Sequence, residues 1–186
     1  VSADENIGEQ KTLVIVAGVG SQGWPVDLEF ARSFVFGNNY GTVNDYYIKN
    51  TFGQVKLSGK VIGTSRLPES CRDDQESFDE FKILESAVSS VDKDIDFKDI
   101  SRIIIFLSNI CGGTGGGLAT DRKIEIETEE GKINSSVAWL RGSAVTTLLY
   151  VVHELGHNFG LDHANIMECL DCRSVEYGDL YDIMGG

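Results

Sequence analysis

Three observations predict an α/β fold: a twisted, mostly parallel sheet with an antiparallel edge strand and helices packed behind it. Strand-like and helix-like segments alternate from Lys11 to Leu107, the pattern that builds parallel sheets. Ser101–Leu107 is almost continuously apolar, as a strand covered on both faces is. Two β-rich stretches, Lys123–Thr128 and Lys132–Leu140, then flank Glu129-Glu130-Gly131 as a hairpin, which supplies the antiparallel edge.

The elements follow in order. Lys11–Ala17 is β-branched and aliphatic and ends in glycines, so it reads as a buried strand. From Pro25 to Phe36 the apolar residues recur at helical spacing, with proline in the first turn and Gly37 as the stop. A short helix is expected over Val43–Lys49, then a strand over Gln54–Thr64 with Gly59 as a bulge or turn. Phe78, Phe81, Ile83, Leu84, Ala87, Val88 and Val91 define one amphipathic helix. Cys111–Gly117 is expected to be a glycine-rich loop. Ser143–Phe159 is the most regular helix, with Ser143 as its cap, Gly160 as its end, and Ala144, Val145, Leu148, Leu149, Val152 and Leu155 on one face. Leu161–Gly186 shows no periodicity and is expected to be a loop organised around the site.

The 186 residues, 41% hydrophobic and 24% charged, suit a single domain spanning 1–186 and a monomer. The net charge of -13 argues against nucleic acid as a partner, since such proteins concentrate Lys and Arg to displace counterions. The longest apolar runs fall well short of the roughly 20 residues that a bilayer requires, so no membrane span is expected. Cys71, Cys111, Cys169 and Cys172 are an even set suited to a secreted chain, with Cys169–Cys172 and Cys71–Cys111 as the simplest pairing. Asn134-Ser135-Ser136 is a glycosylation triplet of the kind chance often supplies.

His153-Glu154-Leu155-Gly156-His157 carries the chemistry. Histidines four apart on a helix stand on one face and can grip one cation, while Glu154 is free to act on a water beside it. Gly160 allows the chain to leave the helix at positive φ and bring His163 round. Three histidines holding Zn2+ leave a fourth position open, which is the arrangement of a catalytic site. A chance match to the whole eleven-residue pattern is expected in about one chain in 10^5 of this length. All three histidines of the chain lie in it.

The motif resembles that of the metzincin zinc proteases, matched at His153, Glu154, His157, Gly160 and His163. Tyr181-Asp182-Ile183-Met184-Gly185 looks like their methionine turn, with Met184 beneath the metal, whereas Met167 is read as packing. Glu176-Tyr177-Gly178-Asp179, with Val43–Tyr47 and Gly53-Gln54-Val55, is similar to the gametolysin family. The resemblance implies a metzincin-like zincin domain and a secreted endopeptidase acting on cell-wall or matrix proteins. It also implies an inhibitory pro-segment and one catalytic zinc, with Glu154 as general base and then acid. Metzincin chains continue past this turn into a wall of the primed-side pocket, so that wall is expected to lie outside a sequence ending at Gly186.

Other readings rank lower. Gly18-Val19-Gly20-Ser21-Gln22-Gly23 follows a strand as in dinucleotide-binding oxidoreductases, but Trp24-Pro25 interrupts the place where the helix should run. A zinc-containing binding protein without turnover is the other alternative. Glu176 and Asp179 are read as holding a turn rather than calcium.

Overall fold

The structure, a computed structural model, describes residues 6–19, 23–67, 71, 78–108, 115–168 and 173–185. Five strands lie in the order β2-β1-β3-β6-β4: β1 is Gly8–Val19, β2 Val55–Leu67, β3 Arg102–Leu107, β4 Gly115–Ala119 and β6 Gly131–Gly142. The pairs β1–β2, β1–β3 and β3–β6 are parallel. Strand β4 runs antiparallel to β6 along its second half, and β5, Ile124–Thr128, pairs antiparallel with its first half. The α/β architecture and the antiparallel edge are therefore as expected.

Helices cover both faces, which explains why the central strands are apolar at successive positions. Leu13, Ile15, Ile103, Ile105, Val137 and Trp139 point to one core, closed by α3 (Glu80–Val91). Val14, Val16, Ile104, Phe106, Ala138 and Leu140 point to the other, closed by α1 (Leu28–Phe36), α2 (Val43–Asn50) and α4 (Leu148–Asn158).

Several boundaries differ for local reasons. Helix α1 starts after Asp27, whose carboxylate accepts from the Glu29 and Phe30 N–H groups, rather than at Pro25. Asp79 caps α3 in the same way through the Lys82 N–H. Gly59 is no bulge, because β1 and β2 stay in register through Thr12↔Gly59 and shift only between Ala17 and Val19. A Cβ at Gly59 would strike the Thr12 carbonyl. The glycine run read as a loop is a strand from Gly115 onward, since β6 offers it a ladder to complete.

The long helix is broken at its start. Ser143–Thr146 forms a 3-10 turn and α4 begins at Leu148, so Ser143 does not cap it. Its carbonyl instead accepts the Thr147 hydroxyl. Leu149, read as core, is half exposed. Beyond α4 the expected loop contains a short antiparallel pair, β7 (Ile166–Glu168) and β8 (Arg173–Val175). Met167, read as packing, lies exposed on β7. Cys71 is buried, while Cys111, Cys169 and Cys172 lie outside the described residues, as do the expected pairings and the middle of the Gly18–Gly23 stretch. No helix among the described residues is long and apolar enough to cross a membrane.

Candidate metal centre

Helix α4 is fixed before its histidines are used. The Tyr47 hydroxyl, from α2, donates to the Val152 carbonyl at 2.8 Å, and the Tyr47 ring packs on Phe159. The Asn158 side chain donates to the Thr120 and Val137 carbonyls, tying the end of the helix to the β4–β6 edge. Arg102, 1% exposed, reaches the same end: one guanidinium nitrogen donates to the Asn158 carbonyl and Ser136, the other to Asn6 and Gln10. Its Cζ lies 3.8 Å from the centroid of the Phe159 ring, over the ring face. None of these partners is a carboxylate. Burial pushes Arg102 down to about 10, with Tyr47 opposing, so it stays charged at neutral pH and faces the negative end of the helix dipole.

The helix ends at Gly160, whose φ of 88° lets the chain reverse. The Gly160 and Leu161 N–H groups return to the His157 and Gly156 carbonyls. That reversal brings His163 to His153 and His157, and one ligand atom from each of the three lies within 4.8 Å of the others. The ring centroids are 4.8–5.6 Å apart.

Each ring is oriented through its Nδ1. His153 Nδ1 lies 2.9 Å from the Ile183 carbonyl, His157 Nδ1 2.8 Å from the Leu161 carbonyl, and His163 Nδ1 2.6 Å from Glu176 Oε1. Carbonyls and a carboxylate only accept, so each Nδ1 carries a proton, and in the neutral ring that tautomer leaves the lone pair on Nε2. Burial foremost, and the neighbouring His153 and His163, hold His157 below the usual imidazole range, against the Leu161 carbonyl and Asp162. Three imidazoles gathered in this way fit a zinc ion by donor type and number.

Met184 is buried beneath this group, where a Cβ on Gly156 would collide with its sulfur. Its carbonyl accepts from the Ala164 N–H, beside His163, and its N–H donates to Asp182. The turn thus braces two of the rings, His153 through Ile183 and His163 through Ala164.

Glu154 is 7% exposed and borders two cavities of about 290 and 380 Å3. Burial raises its carboxyl to about 7, with Arg141 pulling the other way. The close wall is β4, where a Cβ on Gly117 would overlap the Glu154 carboxylate. Side chains bracketing the site include Tyr177, whose ring centroid is 3.9 Å from that of His163.

The three histidines, Glu154 and Met184 therefore lie together, with Gly160 at the reversal that follows α4. Sequence reasoning missed Glu176, read as holding a turn but bonded to His163; Asp179 does hold the turn, accepting from the Tyr181 N–H. It also missed Gly117, Tyr47, Arg102 and Asn158. The one available signal was the place of Arg102 at the head of the apolar run Ile103–Leu107, since a cation at the end of a buried strand requires buried partners.

A mixed sheet covered by helices, with three histidines gathered by one helix and the turn after it, defines a zincin-type metallopeptidase domain. The sequence profile of the metallo-peptidase family M12B, reprolysin-like, matches residues 41–164, two thirds of the chain and all three histidines. The protein belongs to this family of zinc-dependent peptidases. No curated protein matches it significantly.

Proposed function

We propose that the protein is a metzincin endopeptidase that holds one catalytic zinc through His153, His157 and His163 and uses Glu154 as its proton carrier. The observation that carries this reading is the Nδ1 anchoring of all three rings, which in their neutral form leaves Nε2 for a metal, with one ligand atom from each within 4.8 Å of the others and a buried carboxylate beside them. When bound, zinc supplies Lewis acidity to a water and to the scissile carbonyl. Glu154 accepts a proton from the water as its oxygen attacks the carbonyl carbon, then delivers it to the nitrogen as the C–N bond breaks. Strand β4, at the sheet edge beside Glu154, offers unpaired backbone groups to an extended peptide. Gly160 shapes the approach of His163, and Met184 supports the helix from below.

The finer placement near the gametolysins rests on Glu176-Tyr177-Gly178-Asp179, which lies beyond the matched residues 41–164. A secreted location is supported by Cys71, which is disulfide-bonded, because such bonds persist in oxidising compartments. Extracellular matrix or cell-wall proteins as substrates, an inhibitory pro-segment and a monomeric state belong to the same proposal.

The test is hydrolysis of a quenched-fluorescent peptide library by the purified protein, after chelation and after zinc return. Cleavage that chelation removes and zinc restores is the expected result. Stoichiometric zinc without cleavage would replace the proposal with a zinc-containing binding protein.

A further inference from the structure

The two cavities beside Glu154 share a boundary. One extends along β4 to Asp121 and past His157 and His163; the other runs toward Leu149, Tyr150 and Gly185. Four residues line both: Gly117, His153, Glu154 and Tyr177. A peptide passing from one cavity to the other crosses these four, and the bond to be cut lies where the proton carrier stands. Gly117 has no side chain, His153 is committed at both ring nitrogens, and Glu154 moves the proton. Tyr177 alone brings a neutral O–H donor to the crossing.

The Tyr177 ring is held there. Its plane is inclined by 23° to the His153 ring at 6.2 Å and by 37° to the His163 ring at 3.9 Å. Its backbone has φ 59°, a left-handed conformation costly for a bulky side chain and tolerated where neighbours over-determine it. Those neighbours are present: Glu176 is anchored on His163 Nδ1, and the Gly178 N–H donates to the Val175 carbonyl. A Cβ on Gly178 would collide with Ile166, so the chain after Tyr177 is closely packed. The phenol hydroxyl itself has no hydrogen-bond partner among the described residues, so it is available to a ligand at the crossing.

We propose that Tyr177 is a further catalytic residue, its hydroxyl donating a hydrogen bond to the scissile carbonyl oxygen as that oxygen gains negative charge. The inference rests on the peptidase reading. Tyr177 keeps its proton throughout, and no bond is made or broken at it. A donor fixed in advance and aimed at a developing oxyanion acts more strongly in the transition state than on bound substrate, so its loss falls on kcat rather than KM.

The experiment compares zinc-loaded wild type with Tyr177→Phe, which keeps the ring and removes only the hydroxyl. Zinc affinity by chelator competition is expected to be unchanged, KM to stay within about 2-fold, and kcat to fall roughly 10^2-fold. The affinity of a phosphinic peptide, which mimics the tetrahedral state, should weaken in proportion. Wild-type kcat and phosphinate affinity in the variant would overturn the proposal. So would a loss of zinc affinity, which would make the phenol a metal ligand. A wild type that cuts no peptide would defeat the peptidase reading instead, and the phosphinate comparison would still decide the role of the hydroxyl.

Discussion

Glu154→Gln, assayed in the zinc-loaded protein, is expected to retain its metal and lose hydrolysis by roughly 10^2–10^4-fold. Glutamine matches the shape of the carboxylate in its enclosed place beside Gly117 but cannot accept a proton. The same variant tests the electrostatics of the metal-free site. Burial raises the Glu154 carboxyl from 4.5 to about 7, so folding favours its protonated form. Its contribution to stability is complete below pH 4.5 and is lost as pH rises through about 7, where a buried charge must form. Metal-free wild type should thus lose about 2–3 kcal/mol relative to Glu154→Gln between pH 4.5 and 8.5, measured by urea denaturation. Zinc nearby favours the charged carboxylate and should flatten that difference. A variant keeping more than a tenth of wild-type turnover would place the proton carrier elsewhere.

Arg102→Ala is expected to cost about 2–4 kcal/mol and to weaken zinc binding with it. Removing the guanidinium strips the Asn158 carbonyl of a charged donor at the end of α4 and leaves Asn6, Gln10 and Ser136 facing an empty, buried space. Phe159 loses the cation stacked upon it, and Phe159 immediately precedes the Gly160 reversal that delivers His163. Arg102→Met keeps most of the stem's packing and separates the two contributions: a smaller loss there assigns the remainder to hydrogen bonds and charge. Urea midpoints with and without zinc provide the measurement. A midpoint unchanged in Arg102→Ala would show that the end of the helix is held by Asn158 and Tyr47 alone.

The gathering of the three histidines was legible in the sequence, and so was much of the scaffold. Metal ligation needs particular atoms at particular offsets, so His153, Glu154, His157, Gly160 and His163 announce themselves within eleven residues. The central strands were legible too, because burial on both faces leaves an unbroken apolar run in β1 and β3. Strand β4 was not: Gly115-Gly116-Gly117 has no side chains to alternate, and its identity comes from the ladder on β6 and from the room Glu154 requires. Glu176 was hidden for a different reason. Its partner His163 is 13 positions away, joined by a chain reversal that no local pattern encodes. The break before α4 is likewise set by where β6 delivers the chain, which periodicity within the helix does not record.

The central claim is that three Nε2 atoms hold one zinc. X-ray absorption at the zinc edge on the purified protein, with metal content measured on the same sample, tests it most directly. One zinc per chain is expected, with three imidazole nitrogens at about 2.0–2.1 Å and no sulfur ligand. Sulfur at about 2.3 Å, or a zinc that survives replacement of His157, would contradict it.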